Sequence, residues 1–227
     1  MQTRRHGYLR LFALAAALLS MPSYAVEAQN NPAVDQLKPN IVILLVDDLG
    51  WGDVGYHDPR VATPNIDALA ARGVELDRFY VNPTCSPTRA SLLTGQFATT
   101  HGVTGPIQWH STEGLPLQWQ TLPEYLKSAG YQTHLVGKWH LGNASTAYWP
   151  QQRGFDSFYG HLNGGIGYFD RVFSGGLDWQ MHGVSLREEG YTTQLIKAAA
   201  IELIEQRSAE DDPLFLLVSF NAIHTPI

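Results

Sequence analysis

One cysteine, Cys85, stands in a chain of 227 residues, so no disulfide can form within it. Positive charge is also scarce: 15 lysines and arginines face 21 aspartates and glutamates, a formal net charge of −6 at pH 7. That balance argues against nucleic acid as a partner and gives no long-range attraction for a polyanion, so an anionic substrate must be captured by a local cluster of cationic groups. No apolar run is long enough to span a bilayer, and stable membrane insertion is not expected. Internal repeats and low-complexity tracts are missing too. What remains is ordinary globular composition, 44% hydrophobic and 16% charged, in a length that fits one domain with a substantial core.

Residues 1–25 read as a secretory signal peptide: Arg4, Arg5 and Arg10 form a basic head, Leu11 to Ser20 a short apolar run, and Ser23, Tyr24 and Ala25 a small-residue cleavage site, with Ala28 as the alternative. Its removal takes away three arginines and no acids, leaving 12 basic against 21 acidic side chains, or −9. The mature chain is therefore expected outside the cytoplasm, in a periplasm or extracellular space, or in a lysosomal or secretory compartment of a eukaryote. The alanine-rich export segment favours the periplasm; the Asn143-Ala144-Ser145 sequon matters only in a eukaryotic secretory pathway. An exported protein with one cysteine keeps it for a purpose other than a bridge, or alters it chemically.

Residues 26–39 form a polar leader with Pro32 and Pro39. The β-branched run Ile41 to Val46 then predicts a strand buried on both faces, ending in Asp47 and Asp48. Thr63 and Pro64 open a helix with Ile66, Leu69 and Ala70 on its apolar stripe and Gly73 at its end. VELDRFYV, residues 74–81, reads as a short strand leading to Cys85. Thr121 and Glu124 form a capping box for a helix running to Gly130, and YQTHLVG makes a second buried strand that delivers Lys138, Trp139 and His140. Residues 142–185 show no clear periodicity and read as an elaborate loop region. A helix from Thr192 to Gln206, with Leu195, Ala199 and Leu203 in register, precedes a third buried strand, Leu214 to Phe220, and then His224. Alternating strands and helices predict an α/β sandwich with a largely parallel central sheet, whose ligands bind beyond the carboxyl ends of the strands. Asp47 and Asp48, Lys138 and His140, and His224 all fall there, with Cys85 after the shorter strand.

Cys85 lies in NPTCSPTRASLLTG. Pro87 fits the first helical position and Ser86 the N-cap, which places Cys85 just outside a helix N-terminus with Arg89 one turn in. An anion or a thiolate is favoured at such a position. The alternative is an inert buried thiol beside a capped helix. Cysteine phosphatases separate cysteine and arginine by five residues, whereas three intervene here.

CSPTR resembles the signature of the sulfatase family, in which the cysteine is converted to formylglycine; Thr88 stands where serine is commoner, and Gln96 where a basic residue often lies. GYQTHLVGKWHLG resembles a second sulfatase signature, and DDLGWGD, TPNIDALAARG, RGFDSFYG and NAIHTP extend the likeness from Asn40 to the last residue. Among sulfatases the chain looks most like the arylsulfatase B type, which acts on sulfated N-acetylgalactosamine. The resemblance implies an alkaline-phosphatase-like fold and hydrolysis of sulfate esters, with a sulfated small molecule or glycan as substrate. It further implies Asp47, Asp48 and residue 85 as ligands of Ca²⁺, Mg²⁺ fitting less well, Cys85 as the formylglycine nucleophile and Arg89 as its stabiliser. Lys138 and His224 would hold the sulfate, and His140 would handle the proton at the formylglycine hydroxyl. A formylglycine-generating enzyme is the implied partner in maturation. The sulfatases it resembles are longer, so residues 40–227 are expected to be the N-terminal part of a catalytic domain whose C-terminal part is missing, and the fragment itself to be inactive. Lys138 is expected at an exposed strand end, where losing its amine costs little folding energy. Trp109, Trp119, Tyr148, Trp149 and Tyr168 could line a sugar site, with core packing the main role for most. The competing readings are a phosphate or phosphonate ester hydrolase of the same superfamily, and a binding module without turnover.

Overall fold

The β-branched run after Asn40 forms β1 (Ile41–Leu45), the first strand in a computed structural model that describes residues 38–208 and 210–225. The expected signal peptide and most of the leader lie outside the described residues. Along the chain follow α1 (Pro64–Arg72), α2 (Cys85–Thr94), α3 (Ala98–His101), α4 (Leu122–Ser128), β2 (Gln132–Lys138), β3 (Ser157–His161), β4 (Val172–Phe173), β5 (Gly176–Leu177), β6 (Gln180–Met181), β7 (Val184–Ser185), α5 (Thr192–Glu205) and β8 (Leu214–Ser219). The main sheet has the order β1-β8-β2-β3-β6-β7, parallel from β1 to β3 and antiparallel beyond. β4 and β5 form a separate antiparallel pair.

β8 is central and buried along its whole length, as its unbroken LFLLV run requires. Phe215 and Leu217 face one layer, with Leu135, Trp139, Phe155 and Phe158, under Ala90 and Leu93 of α2. Leu214, Leu216 and Val218 face the other, with Val136, Tyr159 and Trp179, under Ile196 and Ala200 of α5. The result is helices on both faces of a mainly parallel sheet, the α/β class expected. Gly137 of β2 lies beside Ser219 of β8 and Gly160 of β3. With φ at 111°, it fills a left-handed position where a Cβ would fall 1.9 Å from the Ser219 carbonyl oxygen.

Several sequence expectations fail. β1 is not buried on both faces: it lies at the sheet edge, with Val42 and Leu44 exposed. Residues 74–81 form no strand: Val74, Leu76, Phe79, Tyr80 and Val81 are exposed, and β1 has no partner on its outer side among the described residues. An alternating pattern becomes a strand only where a ladder is offered. The supposed loop region contains β3, a buried core strand; its apolar run is short and broken by Gly160 and His161, which hid it. The stripe of α1 is not buried, with Ile66 and Leu69 exposed. In α5 the deepest residues are Thr192, Ile196 and Ala200, one position along from the expected line, while Leu195, Ala199 and Leu203 flank it. The capping box of α4 is present, the Glu124 carboxylate accepting the Thr121 N–H at 2.6 Å. No helix among the described residues is long and apolar enough to cross a membrane.

Candidate active site

Because β1, β8 and β2 run parallel, their carboxyl ends open on one edge. The β1–β8 pairing continues past the strands: Phe220 N–H donates to Leu45 O at 2.9 Å, Asp47 N–H to Ala222 O at 2.9 Å, and Ile223 N–H to Asp47 O at 2.7 Å. This continuation brings His224 beside Asp48, with 3.8 Å between Nε2 and Oδ2. Asp48 and His140, each just beyond a strand, have φ near 60°. Left-handed backbone at residues other than glycine is uncommon and collects at functional sites.

Helix α2 begins two residues earlier than expected. Cys85 is its first residue, Thr84 is the extended N-cap, and Pro87 is third, where its missing N–H would lack an intrahelical acceptor anyway. Ser86 is not the cap because its hydroxyl is used elsewhere: it donates to His140 O at 2.9 Å and accepts from Ile107 N–H at 3.0 Å. Cys85 therefore sits in the first turn rather than just before it, still among the unpaired amides of a helix start.

Asp47 is the hub of a buried ion cluster. Lys138 Nζ pairs with its Oδ2, and Arg89 Nη2 lies 3.4 Å from Oδ1. Arg89 Nη1 also donates to Lys138 O at 2.9 Å and to Ser219 Oγ at 2.5 Å. Lys138 is 0% exposed and Asp47 5%, so the expectation of an exposed lysine at a strand end is wrong: β2 continues inward here, and its amine is covered by the turn carrying Asp47. Burial depresses the pKa of Lys138, the nearby Arg89 charge adds to this, and Asp47 opposes it. Burial likewise lowers Arg89 against the pull of Asp47. Two cations share one buried carboxylate, so positive charge is in excess among the buried groups, with the exposed Asp48 carboxylate facing the same cavity.

His140 is 6% exposed, and burial, reinforced by the Lys138 charge, brings its pKa down to about 3. Its Nε2 lies 2.9 Å from Ile107 O and its Nδ1 3.0 Å from Cys85 Sγ. A carbonyl only accepts, so the proton resides on Nε2 and the Nδ1 lone pair faces residue 85. A cavity of about 410 Å³ is lined by Asp47, Asp48, Thr84, Cys85, Thr88 and Arg89, among others. Lys138 stands behind Asp47 rather than on that wall. Of the aromatic residues considered for a sugar site, Trp109 is 52% exposed, while Tyr168 is buried and donates to His224 O at 2.9 Å.

The described residues contain no group of three or more His, Cys, Asp or Glu side chains placed to hold a metal ion. Asp47 and Asp48 nevertheless supply hard oxygen donors on one cavity wall, which fits Ca²⁺ better than a soft metal, without completing its six to eight ligands. Sequence reasoning gave Ser86 a capping role in place of its bonds to His140 and Ile107, and missed Ser219 and the Ile107 carbonyl. Ser86 was visible within CSPTR; the other two carry no local signal.

The sequence profile of the sulfatase family matches residues 39–227. The chain belongs to the sulfatase family. Sulfatase relatives include N-acetylgalactosamine-6-sulfatase of Rattus norvegicus, 39% identical over 211 residues, 83% of this chain and 40% of that protein. Arylsulfatase J of Mus musculus is 36% identical over 211 residues, 84% of this chain and 33% of that protein. Among solved structures, Ps i-CgsB in complex with k-i-k-neocarrahexaose superposes with a TM-score of 0.78 at 31% identity, covering 84% of this chain and 46% of that one. BT4656 in complex with its substrate D-glucosamine-2-N,6-O-disulfate gives 0.65 at 30%, covering 83% and 35%. The alkaline-phosphatase-like α/β fold is thereby shared, and the chain spans less than half the length of each of these sulfatases. The two curated relatives bear different names at similar identity, so the likeness to the arylsulfatase B type extends to the family and no further.

Proposed function

We propose that the protein is a sulfuric ester hydrolase acting on sulfated sugars, with residue 85 as a formylglycine nucleophile and Ca²⁺ held by Asp47, Asp48 and residue 85. The observation that carries the reading is the lone pair of His140 Nδ1 aimed at the residue 85 side chain, 3.0 Å away, at a helix start beside a buried cationic excess. Support for sugar substrates comes from the two solved relatives with bound saccharides. Once a water has added to its aldehyde, formylglycine would supply one hydroxyl to attack sulfur and a second through which sulfate is expelled with return of the aldehyde, and calcium would supply polarisation of the sulfate oxygens. In this arrangement His140, neutral across the working range, accepts the proton at residue 85. Arg89 holds the start of α2 against the ends of β2 and β8 and contributes positive charge, as Lys138 does from behind Asp47. His224, half-buried beside Asp48, completes the rim toward the sulfate. Export to a periplasm or extracellular space and maturation by a formylglycine-generating enzyme belong to the same proposal.

Coexpression with a formylglycine-generating enzyme, followed by peptide mass spectrometry, tests it. The peptide carrying residue 85 should bear an aldehyde in place of the thiol, and a Cys85 left unmodified would defeat the reading. Paired assays on aryl sulfate and aryl phosphate, with calcium and a full-length homologue, should favour sulfate; preference for phosphate would transfer the site to the other hydrolase class.

A further inference from the structure

Beyond β3, residues 162–165 pass over the face of His140. His140 N–H donates to Leu162 O at 3.0 Å, and Trp139 N–H to His161 O at 2.9 Å, so the two segments are stitched together along their backbones. The passing loop is itself fastened from below. Asp178, nearly buried, accepts Leu162 N–H at 3.0 Å, Asn163 N–H at 2.8 Å and Asn163 Nδ2 at 2.8 Å. Asn163 Oδ1 in turn accepts from Asn143 Nδ2 at 2.8 Å, which also donates to Trp109 O at 2.9 Å. Trp109 is two residues from Ile107, whose carbonyl sets the His140 tautomer. One polar chain thus ties together the loop above the imidazole and the loop that holds its Nε2.

Gly164 is the point of contact. A Cβ there would lie 2.4 Å from His140 Cε1, 2.6 Å from Nε2 and 3.1 Å from Nδ1. Its φ is not in the left-handed region, so space rather than backbone conformation calls for glycine. The ring has no free direction of retreat: Ile107 O fixes one edge, Cys85 meets the other, and its backbone is bonded to Leu162. We propose that Gly164 is a positioning residue for His140, with Asp178 as the anchor that holds it in place. Any side chain at 164 then either turns the imidazole away from residue 85 or lifts the loop with its hydrogen-bonded backbone. This role rests on the reading of His140 as the proton acceptor at residue 85.

The unconverted chain offers a test that needs no turnover, since Cys85 is its one thiol and the contact of His140 is with that sulfur. Alkylation of Cys85 by iodoacetamide, followed by intact mass at one fixed pH, is compared in the parent, Gly164→Ala, His140→Ala and the double variant. Far-UV circular dichroism and thermal midpoint report folding. The expected result is a rate change of roughly threefold or more for Gly164→Ala, with the double variant matching His140→Ala alone, because the effect of residue 164 passes through the ring. If Gly164→Ala fails to fold, Asp178→Asn carries the test: it removes one acceptor oxygen without adding bulk and should change the rate less, again only when His140 is present. Additive effects of the two substitutions, or a parental rate in Gly164→Ala, overturn the proposal. The sulfatase reading fails separately, through an unmodified Cys85 in the conversion experiment, so the two failures are distinguishable.

Discussion

Replacing Lys138 by methionine keeps most of the aliphatic stem while deleting the amine that pairs with Asp47. Both partners are out of solvent, with side-chain exposures of 0% and 6%, so the carboxylate cannot exchange its lost partner for bulk water. Arg89 remains 3.4 Å from the other oxygen and limits the damage. Removing one member of a buried pair costs about 3–5 kcal/mol, and the retained arginine places this case near the lower end, about 3 kcal/mol. For a chain of this size that corresponds to roughly 6–12 °C in thermal midpoint. Urea unfolding of parent, Lys138→Met, Asp47→Asn and the double variant measures the effect and its origin. The double variant should lose less than the sum of the singles by about 2 kcal/mol, since removing both charges leaves neither stranded. A Lys138→Met protein within about 1 kcal/mol of the parent would refute the reasoning and restore the view of Lys138 as a free strand-end lysine.

Gly137→Ala should destabilise by more than about 4 kcal/mol or prevent folding, because its Cβ would meet the Ser219 carbonyl at 1.9 Å; a soluble variant with parental urea midpoint would contradict the described strand packing. His101 is buried, its Nδ1 accepting Val103 N–H at 3.1 Å and its Nε2 3.1 Å from Ser91 Oγ, and burial lowers its pKa below the ordinary 6.5. The unfolded chain therefore binds a proton first as pH falls, so the contribution is complete above about 6.5 and lost progressively below it. His101→Asn, which keeps an acceptor near Nδ1, should flatten stability against pH between 7 and 5, and equal slopes in parent and variant would exclude His101 as the source. Calcium should raise the thermal midpoint, by about 1 kcal/mol of stabilisation at roughly five times its dissociation constant, with a smaller rise in Asp48→Asn; indifference to calcium, or an equal rise in the variant, would remove Asp48 from the ion's ligands.

The sequence made the sheet's parallel core readable because β1 and β8 are apolar runs of ordinary length and β2 carries a shorter one, Leu135 and Val136, just before Gly137 and Lys138. It also placed Asp47, Asp48, Lys138, His140 and His224 on one edge, since carboxyl-end positions follow from strand direction alone; Cys85 reached that edge by a strand at 74–81 that does not form. What it could not convey was depth. Lys138 reads as solvated because lysine usually is, and only the arrival of Asp47 and Arg89 from distant segments makes its burial tolerable. The strand that failed, residues 74–81, shows the same limit in reverse, an apolar pattern without the neighbour that would use it. Gly164 could not be found by pattern, because its importance lies in a ring contributed by residue 140.

The position of β1 beside β8 also orders events in time. Asn40 and Leu214, joined by a 2.8 Å hydrogen bond, are separated by 174 positions, so during synthesis the opening strand emerges long before the strand that will hold it. At the usual pace of synthesis, roughly 5–20 residues per second, that wait lasts about 9–35 seconds. The α2 start and residue 85 are made early in that interval, while their anchors on Ser219 and His140 are still to come. The newborn chain thus presents Cys85 as an unfastened segment for many seconds, a window that closes when β8 slides in between β1 and β2.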